Sequence, residues 1–442
     1  MRVSEEMSGK SDSCRLLLSL WWVNVAMWVL FSGQSIAVDV FADTHLGAAT
    51  CATSQCHGKS TAQLDRNVNL NEYTTWIDGD RHSIAYQTLL TEESQRIAAK
   101  LGISRAESAD ICLDCHADNA PADKRGPKFQ VSDGVGCEAC HGGSGQWIET
   151  HTDPDATHAK NLAAGMIATE SADVRAEVCL SCHLGTRDKF ATHTIMGAGH
   201  PRLSFELDLF SANQPAHYTV DADYIERKGS IPSFNLWLTG QFESAEQYLK
   251  VGVERLHEGV GLFPDFSFFD CQSCHHSLKD TRWSKRRTDG VQPGSLRLHM
   301  PNLVVLDAVA RGLGAEGIQQ KLQGAKVRTI QSAQQGRQEF AQAAQGMLES
   351  LTAARSDWAR GFSDTEVSAV RRALLDNAAA DRASDYAEAE QIYYSFESLC
   401  YTLNEIDRCI PALDQLFETI SDSDSYSPGS FARLARNLAD IF

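Results

Sequence analysis

The 442-residue chain is 43% hydrophobic and 22% charged, with 31 Gly and 11 Pro, a globular composition that excludes disorder, collagen and a multi-span membrane protein. Its 58 acidic against 40 basic residues leave a formal charge of −18, which argues against nucleic acid or anionic lipid as a partner and favours a basic one. Thirteen Cys and 15 His are out of proportion, and their spacing carries the functional reading.

At the N-terminus, Lys10 and Arg15 precede an apolar run from Leu16 to Phe31, and Ser35-Ile36-Ala37 places small side chains at a cleavage site. Residues 1–37 therefore read as a secretory signal cut after Ala37. The run falls short of the roughly 20 residues that span a bilayer, while Trp21, Trp22 and Trp28 keep an uncleaved anchor as the alternative. Either way the body is exported, to the periplasm or cell surface of a bacterium. Cys14 precedes the apolar run and takes no part in the mature fold.

The next cysteines are Cys51-Ala-Thr-Ser-Gln-Cys56-His57. Four tighter motifs follow: Cys112-Leu-Asp-Cys115-His116, Cys137-Glu-Ala-Cys140-His141, Cys179-Leu-Ser-Cys182-His183 and Cys271-Gln-Ser-Cys274-His275. Two thiols about one helical turn apart can add to the two vinyl groups of one haem, and the adjacent His then lies under the iron as its axial ligand. Disulfides do not require a trailing His four times, and zinc sites match Cys pairs into closed tetrads. The pattern predicts covalently attached haem c. At Cys51 and Cys56 the longer spacer must bulge, and a singly attached haem or a disulfide remains the alternative there. In all, about five haems are expected.

Removing the five proximal histidines leaves ten, twice what five irons need for a second axial ligand. Bis-histidine iron moves electrons without binding substrate. His82 follows Trp76-Ile-Asp-Gly-Asp-Arg at a predicted helix start, His151 follows the third site by ten residues, and His193 and His200 follow the fourth. Gly197, Gly199 and Pro201 point to a turn at His200. His276 faces away from its own haem and can reach a neighbour. These five are the favoured distal ligands, with His217, His299 and His45 next; the alternative for each is a residue that hydrogen-bonds a propionate or a proximal imidazole.

Residues 202–270 are rich in aromatics, among them Phe205, Phe210, Trp237 and Phe269, suited to core packing and to padding haem faces. Lys285-Arg286-Arg287 reads as a solvated loop or a partner of propionates. Beyond Pro301 the pattern turns helical: Phe340, Ala344, Met347, Leu351 and Trp358 recur along one stretch, Ser363-Asp-Thr-Glu366 is a capping box, and Tyr386, Ala389, Tyr393, Phe396 and Leu403 continue the theme. About four helices are expected, to cap the haem region, dock a partner or mediate oligomerisation. Of the last two thiols, Cys400 and Cys409 would lie on opposite faces of one continuous helix. A break at Pro411 would bring them within reach of a disulfide, so the spacing admits both states.

The segments Gly134-Val-Gly-Cys137-Glu-Ala-Cys-His141-Gly-Gly, Trp76 to His82 and Gly197-Ala-Gly-His200-Pro-Arg-Leu-Ser-Phe-Glu206 resemble the cytochrome c-554 (cytochrome c-552/4) family of multihaem c-type cytochromes over roughly residues 45–300. The resemblance implies a mainly helical wrapping with haems in closely spaced stacked pairs. Many reductases among the relatives carry a Cys-x-x-Cys-Lys motif, which this chain lacks. The expectation is a mainly α protein with little regular sheet: a pentahaem domain over 38–300, then a helical bundle over 301–442. It would relay single electrons between redox proteins, basic or membrane-associated, with no nucleic-acid partner and no membrane span once the signal is removed. Two other readings stand beside it: an enzyme with one open iron acting on a small nitrogen or sulfur species or peroxide, with His217 or His257 moving protons, and a binding module with structural haems.

Overall fold

The computed structural model describes residues 38–63, 68–257, 265–275, 290–292, 295–380 and 383–442. The expected signal segment, His276 and the Lys285-Arg286-Arg287 cluster lie outside the described residues, as does the side chain of His257. Among the described residues the chain is mainly helical, and strand-like pairing is confined to two isolated bridges, His45 with Arg125 and Phe269 with Leu298.

The first half is built from short helices joined by long irregular segments. Three carry cysteine motifs at their C-terminal ends: α1 (Asp110–His116), α2 (Glu138–His141) and α3 (Ala172–His183). Glycines stop two of them, with Gly142 at φ 79° closing α2 and Gly185 at φ 112° lying just past α3. Gly134 ahead of α2 is needed for a different reason: at φ 75°, a Cβ there would meet the His82 carbonyl oxygen at 2.6 Å.

Apolar side chains make little interior in this half. One small cluster joins Leu89, Ala98, Ala106, Leu113 and Ala117, and another joins Ala176, Leu180, Phe205, Leu207 and Leu236. The main core belongs to the second half and begins earlier than residue 301. Helix α4 (Ser233–His257) buries Phe234, Trp237, Leu238, Phe242, Ala245 and Leu249 at helical spacing. One side of it packs on α3 and the other on the helices that follow, so the core crosses the expected 300/301 boundary and runs from Phe234 to Ala439.

Among the described residues beyond Pro301 seven helices form instead of about four: α5 (Pro301–Gly312), α6 (Glu316–Ser332), α7 (Arg337–Asp357), α8 (Asp364–Ala379), α9 (Tyr386–Thr402), α10 (Ile406–Ile420) and α11 (Pro428–Ala439). Gly314 at φ 65° separates α5 from α6, and Gly336 at φ 154° separates α6 from α7. The capping box at Ser363 and Glu366 opens α8, and a second, Asp385 with Glu388, opens α9. The buried positions of α9 include Ala389, Ile392, Phe396 and Leu399, while Tyr393 turns to the half-exposed face.

Cys400 and Cys409 form a disulfide. The break that allows it is not at Pro411, which sits inside α10. The turn comes earlier, where Asn404 takes φ 55° and the Glu405 N–H donates to the Cys400 carbonyl at 2.9 Å. Cys400 thus ends one helix and Cys409 begins the next.

A buried ion cluster ties the segment before α5 to α9. Arg297 donates to Asp385 at 2.8 Å and to Glu388 at 3.1 Å, all three side chains being almost fully buried. Replacing Arg297 with Met removes the cation that both carboxylates share, and denaturant titration should show a loss of about 3–5 kcal/mol. Glu206, which caps the helix over Leu207–Asn213 through the Asp208 and Leu209 amides, is pushed up to about 8, chiefly by burial and further by the nearby Asp208 and Glu397. Its folded value lies above its unfolded one, so its stabilisation is complete below about pH 4.5 and is lost as pH rises through about 8. In Glu206→Gln the decline of stability between those limits should flatten by up to about 1.4 kcal/mol per pH unit, measured as unfolding free energy against pH.

Candidate functional site

Ten of the described histidines fall into five ring pairs, each joining one motif histidine to one other. Ring centres are 5.9 Å apart for His57 and His151, 6.3 Å for His116 and His200, 6.3 Å for His141 and His217, 6.1 Å for His183 and His82, and 6.4 Å for His275 and His193. Rings can meet edge to face or offset at such separations, and the same spacing also leaves room for a metal between two ring nitrogens. An iron bonded at about 2 Å to one nitrogen of each ring sets the ring centres about 6.3 Å apart. The residues present therefore fit a hexacoordinate iron porphyrin at every motif.

Hydrogen bonds at Nδ1 fix the rings and leave Nε2 for a metal. His57 Nδ1 is 2.8 Å from Glu72, His82 Nδ1 is 2.9 Å from Asp80, His116 Nδ1 is 3.2 Å from the Ala85 carbonyl and His200 Nδ1 is 2.8 Å from the Pro201 carbonyl. Asp80 also accepts from the His82 amide and from Gln214; despite its partial burial, these bonds hold it down to about 2. Burial, with His217 and Lys228 nearby, pushes His141 down to about 3, and burial beside His82 pushes His183 down to about 4. Both rings are neutral at physiological pH and keep a lone pair for a metal.

Local sequence explains the placement. Trp76 donates its indole N–H to the Val135 carbonyl, and the Val135 amide donates to the His82 carbonyl, so the stretch before His82 is laced to the third motif. Asp80 caps the single turn that carries His82. His193 opens a helix that Gly199 closes at φ 123°, which sets His200 just outside it. Beside His151, the buried Trp147 N–H has no partner and remains a donor for a group held at the first site.

The thiols show how the sites adjoin. Cys51 and Cys137 lie close enough to shift each other's ionisation, as do Cys115 and Cys182, so the first site abuts the third and the second abuts the fourth. A cavity of about 130 Å³ lined by His183, Phe190, Met196, Phe205, Cys271 and His299 lies between the fourth and fifth. Exposure differs as well: Cys271 and Cys274 are exposed, whereas the other eight free thiols are partly covered.

Of the favoured distal residues, His82, His151, His193 and His200 each face a motif histidine. The fifth partner is His217, next in line among the expected ligands, opposite His141; His276 lies outside the described residues. No local pattern marks His217, which follows the Leu207–Asn213 helix in an irregular segment. Two other histidines are already engaged. His45 uses Nδ1 on Asp118 at 2.7 Å and Nε2 on the Val40 carbonyl at 2.8 Å, and His158 is held by Glu170 at 2.5 Å. Asp118 and Glu138 come close enough to His45 to suggest a metal cluster. Glu138, however, accepts the Leu46, Gly47 and Ser144 amides, and the group is a hydrogen-bonded knot. His299 lies 3.8 Å from Asp385 and faces no motif histidine among the described contacts.

Residues 50–142 match the family model for cytochrome c554 and c-prime. No curated protein and no solved structure matches the chain. The matched stretch is narrower than the expected 45–300 and holds the first three cysteine sites, including the one with the long spacer. That match, the paired thiols and the mainly helical fold together support a c-type cytochrome with covalently bound haem c, similar over residues 50–142 to the cytochrome c554 and c-prime family.

Proposed function

We propose that the chain is an exported five-haem cytochrome that relays single electrons between redox proteins, with every iron held by two imidazoles. The observation that carries this reading is the set of five histidine pairs at one common spacing, 5.9 to 6.4 Å. The attached group supplies a one-electron ferric/ferrous couple when bound. The chain does the rest: ten cysteines attach it, ten histidines close both faces of each iron, and the Nδ1 partners fix the imidazoles so that little rearranges when charge arrives. Adjacency of the first site to the third, the second to the fourth and the fourth to the fifth supports transfer along an array. Both faces being closed speaks against an open iron for a small substrate, and the apolar run before Ser35 supports export.

The purified protein should exceed its peptide mass by five haems, and a pyridine haemochrome assay should count about five per chain. Its electron paramagnetic resonance spectrum should be wholly low-spin, with no carbon monoxide uptake after reduction. A strong high-spin signal in the unmodified protein would instead favour the enzyme reading. Removing one distal ring should open one iron: His217→Ala is expected to turn about one fifth of the haem high-spin and to bind one carbon monoxide per chain with haem content unchanged. A spectrum identical to that of the parent protein would remove His217 from the ligand set.

A further inference from the structure

The outward side of α10 is apolar and uncovered. Ile410 and Phe417 are 47% and 55% exposed, and Tyr401 at the end of α9 is 52% exposed beside them. Phe417 lies 6.1 Å from the ring of Tyr393. Around these side chains stand the carboxylates of Glu397, Asp414 and Glu418, which have no hydrogen bond or ion pair among the described residues. Arg408, the cation on this helix, is already held by Glu405 and by the Ile441 carbonyl. Aromatic rings interleaved with unpaired carboxylates suit lysine and arginine side chains, through ion pairing and cation–π contact.

This face continues into the fifth site. Gln272, between the two motif cysteines, donates to the Ser423 carbonyl at 3.5 Å and accepts from the Tyr386 amide at 3.4 Å. The Tyr386 hydroxyl donates to the Ile420 carbonyl at the end of α10 at 2.9 Å. The exposed Asp422 and Asp424 therefore stand beside the most solvent-exposed pair of motif thiols.

We propose that the outward face of α10, continued through Asp422 and Asp424, is the docking surface for a basic redox protein that exchanges electrons at the fifth site. The proposal rests on the relay reading and names its partner class and its port. A second copy of the chain carries the same charge of −18 and is repelled, as is an anionic lipid surface. The exchange is one electron, from the reduced protein to a ferric partner, and no bond forms or breaks.

The test uses the intact holoprotein and a small lysine-rich ferric cytochrome c as the probe, with binding followed by calorimetry at low salt and electron transfer by stopped flow. Asp414→Lys with Glu418→Lys, and separately Phe417→Ser, should each weaken binding about tenfold or more and slow probe reduction in step. The control pair Glu316→Lys with Glu349→Lys changes the net charge by the same amount on exposed positions elsewhere and should weaken binding less than about twofold. A haem count on each variant verifies that it has folded. Equal weakening by both charge reversals, an unaffected Phe417→Ser, or a parent protein that does not bind the probe would overturn the docking surface. Failure of the relay reading shows separately, as a parent protein whose haem, once reduced, passes no electron to any small inorganic oxidant.

Discussion

The first half of this molecule is organised around paired imidazole rings held at one common distance, a gap that a metal-centred disc would fill. Facing neutral rings at such a separation gain little from each other, and burying them costs solvation. In the five-haem reading, bonding to iron and two thioether links per site would return more than a small apolar core could. This explains why the described residues before α4 form only two minor apolar clusters while the helices stay short. The polypeptide there is a scaffold for ligands, and its hydrogen bonds serve to aim nitrogens.

The second half is organised by ordinary packing. Its core runs continuously from α4 to α11, and α4 is the joint because it lies against α3 on one side and the later helices on the other. Arg202 reinforces the connection: it follows the fourth motif closely in sequence, yet pairs with Glu390 on α9 at 2.6 Å. Two regions that differ in what stabilises them are thus held as one body, which keeps the fourth and fifth sites adjacent even though 92 residues separate His183 from His275.

Legibility in the sequence followed the range of the interaction. The motif histidines and their thiols were readable because attachment chemistry acts over five to seven consecutive residues. His82 and His200 were readable because caps and glycines mark their turns locally. His217 was not, since its role is set by a ring 76 positions earlier, at His141, and nothing near it in sequence carries that information. The number of C-terminal helices was underestimated for a related reason: apolar periodicity runs across Gly314 and Gly336, and only backbone conformation shows that the chain turns there. Pro411 misled in the opposite direction: it withholds the N–H that would bond four residues back, yet α10 runs on through it to Ile420.

The bridge between Cys400 and Cys409 places a condition on how the molecule is made. In the five-haem reading, ten sulfurs must stay as thiols until each has met a vinyl group, while one pair in the same polypeptide must be oxidised. Both reactions draw on the same pool of sulfur nucleophiles, and exchange between them would scramble the product. Complete sequestration of the oxidised pair, both of whose residues are fully buried, offers a resolution: once α8 to α10 have closed over it, no thiolate can reach it. Maturation then becomes a race between folding of the C-terminal helices and thiol exchange, settled by the order in which the segments emerge.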